Sequence, residues 1–120
     1  MREIKFRAWD KERLCFLKPI ETTQLVIRPI SGKITDGAVD VSEKIELLQY
    51  TGNNDKKDVE IYENDIVEDE YNRKYVVVFK GDCWRCEPLS KGLKNRWISN
   101  HLMVSGNIYE NPELLEESAK

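Results

Sequence analysis

The stretch Lys74-Tyr75-Val76-Val77-Val78-Phe79 decides the fold class of this 120-residue chain. Three successive valines between two aromatic residues are typical of a β-strand, and an unbroken apolar run is typical of a strand that is buried on both faces. We therefore predict a central strand here, ended by Gly81. On its N-terminal side, the polar run Asp69-Glu70-Tyr71-Asn72-Arg73 predicts a hairpin tip.

The strand before that hairpin is predicted to begin within Tyr62-Glu63-Asn64-Asp65-Ile66-Val67. Small SH3-like barrels often start a strand with Gly-Asp followed by two branched apolar residues, and Asn64 stands here in the place of that Gly. Asn is the next best residue after Gly for a left-handed backbone position. The sequence therefore predicts a tight turn at Asn64.

Both ends of the chain have legible patterns. Glu3 to Asp10 alternates apolar and polar residues, which predicts a strand, and Arg13-Leu14-Cys15-Phe16-Leu17 predicts a second strand that completes a hairpin. At the other end, Asn111-Pro112 followed by Glu113-Leu114-Leu115 predicts a short helix, because Asn is a good N-cap and Pro is favoured at the first helical position.

The middle of the chain is less clear. Ser42 to Tyr50 is ambiguous, because Ser42 is a good helix cap and Ile45 and Leu48 would share one face of a helical turn. The polar stretch Thr51 to Asp58 predicts a loop. Two further short strands are predicted, at Trp97-Ile98 and at Leu102-Met103-Val104.

Short strands at close spacing with polar turns predict a mainly β protein. We expect a single domain over residues 1–120, with an N-terminal β-hairpin region over about residues 1–41. A small SH3-like barrel would follow over about residues 42–109, and a tail with a short helical turn over residues 110–120.

Composition excludes several classes of protein. The net charge is −3, so the chain as a whole does not attract nucleic acid or an anionic membrane. The charge is uneven, since Asp55 to Arg73 holds eight acids and three bases, whereas Lys80 to His101 holds five bases and two acids. Three cysteines, no apolar signal core and no apolar run of about 18 residues predict a cytoplasmic protein with reduced thiols and no membrane association.

Cys83-Trp84-Arg85-Cys86 is the motif with the most chemical content. Two cysteines separated by two residues can ligate one zinc ion, but a full site needs two more ligands, and the chain offers Cys15 and His101. Zinc sites usually combine two local pairs, so the pattern is weak. A redox pair would be expected to open a helix, and no helical pattern follows here. We expect no metal, no cofactor and no catalytic residue.

Nucleic-acid binding has a candidate surface. Small barrels bind single strands with a basic groove and aromatic stacking platforms. Trp9 and Arg7 could add a second contribution, and the main set comprises Trp84, Arg85, Lys94, Arg96 and Trp97. A pI of about 5.3 argues against this function, as does the usual burial of Trp in a small β domain.

Three stretches together resemble the YopX family of phage and prophage proteins: Lys5-Phe6-Arg7-Ala8-Trp9-Asp10, Leu48-Gln49-Tyr50-Thr51-Gly52 continuing to Ile61 to Val67, and Gly106-Asn107-Ile108-Tyr109-Glu110-Asn111-Pro112-Glu113-Leu114-Leu115. The resemblance implies an SH3-type barrel and a phage or prophage origin. It implies no reaction, ligand or catalytic residue. Asn64 departs from the Gly that the family usually has, and a Cys pair is not part of the family pattern.

The sequence leaves three functional classes open. The first is a non-enzymatic accessory protein that binds an unknown host or phage protein. The second is a nucleic-acid-binding barrel, and the third is a zinc- or redox-active protein that uses Cys83 and Cys86. The sequence specifies no oligomeric state.

Overall fold

The computed structural model describes residues 5–18, 21, 24–28 and 31–119, with the backbone alone from residue 116 onward. They form two compact units, an N-terminal unit over residues 5–48 and a C-terminal unit from Gln49 onward. Both units are built mainly from antiparallel strands, so the predicted fold class is confirmed. The closed SH3-like barrel and the single-domain organisation stay predictions.

The N-terminal unit begins with the predicted hairpin. Strands β1 (Phe6–Asp10) and β2 (Cys15–Phe16) are antiparallel, with Trp9 opposite Phe16; residues 3 and 4 of the predicted first strand lie outside the described residues. The carboxylate of Asp10 accepts the backbone N–H groups of Glu12 and Arg13 and so closes the turn. A separate sheet follows with the order β3-β4-β5, built from Leu25–Ile27, Ile34–Asp36 and Val39–Asp40.

Strand β6 (Ile45–Asn54) contains the boundary between the two units. It replaces the helical turn considered for Ser42 to Tyr50 and extends into the stretch predicted as a loop. Its second half pairs with β7 (Glu60–Tyr62), with Tyr50 opposite Tyr62. Ladder hydrogen bonds with β7, the next strand of the chain, therefore outweigh the local cap signal of Ser42.

The C-terminal unit contains a sheet with the order β10-β9-β8-β11. Its strands are β8 (Asp65–Glu68), β9 (Lys74–Lys80), β10 (Cys83–Pro88) and β11 (Met103–Asn107). As predicted, β9 is central and begins after the hairpin tip. Its burial alternates, however: Tyr75 and Val77 are buried while Val76 and Val78 are half-buried. The strand therefore buries its side chains fully on one face of the sheet, and not on both faces as predicted.

The core of the C-terminal unit forms on that face. It consists of Ile61, Val67, Tyr75, Val77, Cys86 and Leu102, with Trp84, Ile98 and Val104 packed against it. The predicted strand at Trp97-Ile98 is wrong, because in that segment Arg96 alone makes a bridge, to Cys86. Helix α1 (Pro112–Ala119) begins at the predicted proline.

Candidate partner-binding surface

Arg96 is held beside the edge of β10 by two backbone hydrogen bonds. The N–H of Cys86 donates to the carbonyl oxygen of Arg96 at 2.8 Å, and the N–H of Arg96 donates to the carbonyl oxygen of Cys86 at 3.0 Å. Because Cys86 belongs to the core, this pair fixes the segment after the Gly92 turn against a rigid strand. Trp97 follows directly and is therefore presented at a fixed position.

A shallow pocket of about 260 Å³ lies at this place. Its lining consists of Arg85, Asn95, Arg96 and Trp97. The side chain of Trp97 is 67% exposed, although a large apolar ring is normally covered in a folded domain. The pocket therefore combines two guanidinium groups, one amide and one indole that takes little part in the core.

Asp69 lies beneath this region as a buried carboxylate. Its Oδ1 accepts the backbone N–H groups of Tyr71 and Arg73, both at 2.9 Å. Its Oδ2 accepts Nε of Arg73 at 2.7 Å and the hydroxyl of Tyr75 at 3.0 Å, and lies 3.7 Å from a terminal nitrogen of Arg96. Burial by itself raises the pKa of Asp69, but these donors outweigh it and lower the pKa to about 2. Asp69 is therefore a stable anion that orders two arginines.

The ordered arginines extend the surface beyond the pocket. The guanidinium of Arg73 lies 5.0 Å over the ring of Tyr71, which is 71% exposed. We name the connected set the arginine–aromatic strip; it comprises Tyr71, Arg73, Arg85, Arg96 and Trp97. The sequence pattern places Tyr71 and Arg73 at a solvated hairpin tip and does not identify them as part of a binding surface. The spacing of Asp69 and Arg73 across that tip is the signal that could have found them.

The other members of the predicted surface lie elsewhere. Trp84 is half-buried, packs against the core and meets Phe79 edge-on at a centroid distance of 5.0 Å. Lys94 is exposed but does not line the pocket. In the N-terminal unit, Trp9 is buried, and the guanidinium of Arg7 lies 4.4 Å over the ring of Phe16. The structure thus brings together Arg85, Arg96 and Trp97. Neither Trp9 nor Trp84 offers an open ring on which a base could stack.

The candidate metal ligands are dispersed. Cys86 points into the core and Cys83 is half-exposed, as expected for residues three apart on one strand, which face opposite sides of the sheet. Burial raises the pKa of the Cys86 thiol to about 11, which opposes the thiolate that zinc requires. Cys15 is exposed in the N-terminal unit and His101 is exposed in the C-terminal unit. Within the described residues, no three His, Cys, Asp or Glu side chains form a group that could hold a metal ion.

No helix in the described part of the chain combines the length and the apolarity that a membrane span requires.

Comparisons with known proteins agree with the fold. The family model of the YopX protein matches residues 5–116, so the chain belongs to the YopX family. A solved structure, the crystal structure of protein EF1440 from Enterococcus faecalis, superposes with a TM-score of 0.61. It covers 96% of this chain and 99% of its own length at 23% identity, a likeness that shows the fold alone. No curated protein matches the chain.

Proposed function

We propose that this member of the YopX family is a non-enzymatic accessory protein of a phage or prophage that binds a protein partner through the arginine–aromatic strip. The observation that carries the proposal is the exposure of Trp97 between Arg85 and Arg96 on a fixed segment. Tryptophan, tyrosine and arginine dominate the binding energy of protein interfaces, and all three occur in this strip.

The setting of the protein is part of the same proposal. The phage or prophage origin is supported by the family resemblance. A cytoplasmic location is supported by three free cysteines, which a reducing compartment maintains. Binding rather than catalysis is supported by the groups that surround Trp97, because guanidinium, amide and indole groups recognise partners but supply no general base at neutral pH.

A second candidate function is the binding of single-stranded nucleic acid. The observation that favours it is the combination of three guanidinium groups with two exposed rings, which would hold phosphates and stack on bases. The pI of about 5.3 and the packing of Trp84 against the core favour a protein partner instead.

Affinity capture with matched variants tests the proposal. The tagged protein is incubated with lysate of a phage-bearing host, with and without nuclease, beside Trp97→Ala and Leu14→Ala. Leu14 is the control, because it is 70% exposed and lies outside the strip. We expect a protein that the wild type and Leu14→Ala retain after nuclease, and that Trp97→Ala retains at least tenfold less, as for a central interface tryptophan.

Two results would contradict the proposal. Equal capture by Trp97→Ala would remove Trp97 from the interface. A partner that disappears on nuclease treatment would favour the nucleic-acid function.

A further inference from the structure

The guanidinium groups that line the Trp97 pocket have few strong acceptors. Nε of Arg85 meets Sγ of Cys83 at 3.4 Å, and sulfur is a weak acceptor. A terminal nitrogen of Arg96 donates to Oγ of Ser99 at a long 3.5 Å. Among the described residues, neither guanidinium makes a hydrogen bond to a carboxylate, although each group carries five N–H donors.

Asp69 does not serve as a hydrogen-bond acceptor for Arg96. Both of its oxygens already accept two hydrogen bonds from other donors, and Arg96 stays 3.7 Å away. Asp69 therefore attracts Arg96 electrostatically but leaves its outer N–H groups available. The planar fork of an arginine matches a carboxylate or phosphate in a two-bond arrangement.

We infer that the Trp97 pocket recognises an aspartate or glutamate side chain within an acidic segment of the protein partner, held by Arg85 and Arg96 beside the indole of Trp97. This inference rests on the proposed function and adds the chemistry of the partner. A volume of about 260 Å³ suits a few side chains of an extended segment rather than a large ligand.

Charge complementarity favours a short acidic segment over a polyanion. The described lining of the pocket is cationic, because it contains Arg85 and Arg96 and no acid, while Asp82 and Glu87 interact electrostatically with Arg85 from outside the lining. The same unit carries eight acids between Asp55 and Arg73. A long phosphate backbone would extend from the pocket past these acids, whereas a segment of a few residues that occupies the pocket alone would contact mainly its two arginines.

The test is a titration of the full chain with a hexaglutamate peptide, followed by the NMR signals of the arginine Nε–H groups and the tryptophan indoles. We expect shifts at Arg85, Arg96 and Trp97 that weaken as salt is added. Arg85→Gln and Arg96→Gln should each weaken binding about tenfold or more, since each removes a charge-assisted contact. Arg28→Gln, an exposed site in the N-terminal unit, removes the same charge and should bind as the wild type does.

One further variant and two comparison ligands complete the test. Arg96→Lys keeps the charge without the fork, so it should regain little of the affinity. Hexalysine and oligothymidylate are compared with hexaglutamate under the same conditions. Tighter binding of oligothymidylate at these signals, or no shift with millimolar hexaglutamate, would overturn the inference. If hexaglutamate fails while lysate capture still depends on Trp97, the proposed function stands and the acidic partner alone is wrong.

Discussion

The side-chain amide of Asn64 donates a hydrogen bond of 2.8 Å to the hydroxyl oxygen of Tyr109, 45 residues further along the chain. The backbone of Asn64 extends this connection, since its carbonyl accepts the N–H of Ile108 at 3.1 Å and its N–H donates to Val77 at 2.8 Å. One turn residue therefore joins the central strand to the segment that precedes the C-terminal helix. Asn64 also has a φ of 66°, the left-handed conformation that the sequence predicts.

We expect two substitutions of Asn64 to separate these two roles. Asn64→Gly keeps the left-handed turn and loses the bond to Tyr109, at a cost of about 1 kcal/mol. Asn64→Ala loses the same bond and adds about 1–2 kcal/mol, because a Cβ is strained at positive φ. Urea unfolding measures both, with Tyr109→Phe as a control that loses the bond and leaves the turn residue unchanged. An Ala variant as stable as the Gly variant would contradict the backbone role.

Gly106 and Asn111 are predicted to be energetically coupled. A Cβ placed on Gly106 would lie 2.5 Å from Oδ1 of Asn111, which itself accepts the N–H of Asn107. We expect Gly106→Ala to cost about 1–3 kcal/mol through this clash. Asn111→Ala removes the bond and the two nearest obstructing atoms, Oδ1 and Cγ, and keeps the Cβ at 3.2 Å. The double variant should therefore be more stable than the sum of the two single losses predicts, by at least about 0.5 kcal/mol in a double-mutant cycle. Simple additivity would show that the clash is relieved in another way.

The parts of the fold that were predictable from the sequence are those set by local chemistry. Asn64 in a left-handed turn, the polar tip between β8 and β9, and Pro112 at the start of α1 each follow from the backbone preferences of a few neighbouring residues. Leu114 and Leu115, which the sequence placed in the predicted short helix, are both half-buried.

The arginine–aromatic strip could be predicted only in part, because long-range contacts build it. Arg96 reaches β10 through a bridge to Cys86 that leaves no periodic signal in the sequence. Tyr71 and Arg73 join through the buried carboxylate of Asp69, whose burial depends on tertiary packing. The sequence pattern grouped Arg85, Arg96 and Trp97 with Trp84 and Lys94, but it could not separate Trp97, which is exposed, from Trp84, which packs against the core.

Asp69 should contribute a stability that disappears in acid. Its pKa is about 2 in the folded protein against an ordinary 3.8, so the unfolded chain takes up the proton first as the pH falls. The stabilisation is therefore complete above about pH 5 and is lost as the pH falls through 3.8 towards 2, by roughly 1 kcal/mol as far as pH 3. Asp69→Asn should lack this loss and cost about 3 kcal/mol at neutral pH, because the donors around the buried carboxylate, among them Nε of Arg73 and the hydroxyl of Tyr75, lose a charged acceptor. Parallel pH dependences of the two proteins would contradict the assignment.

The three thiols should differ in reactivity. Cys15 is exposed and Cys83 half-exposed, whereas Cys86 is fully buried and its pKa is raised to about 11. A thiol-alkylating reagent at neutral pH should therefore modify Cys15 and Cys83 in the folded protein, and Cys86 at the rate at which the core opens. Peptide mass spectrometry locates the labels, and Cys86→Ser confirms the slow site. Rapid labelling of Cys86 would show that β10 does not pack as described.

Truncation of Trp84 and truncation of Trp97 should differ in their effect on the free energy of unfolding. Trp84 packs against the core and touches Phe79, so Trp84→Ala should cost about 2 kcal/mol or more. Trp97 is 67% exposed, so Trp97→Ala should change the free energy of unfolding by no more than about 0.5 kcal/mol. Thermal unfolding followed by circular dichroism measures both.

Fluorescence gives an independent measure of the exposure of the two indoles. Removing the most solvated indole in Trp97→Phe should shift the emission maximum to shorter wavelength, whereas Trp84→Phe should not. A large loss of stability in Trp97→Ala would mean that the indole has a structural role, and partner capture would then have to be tested with Arg85→Gln, which leaves the ring in place.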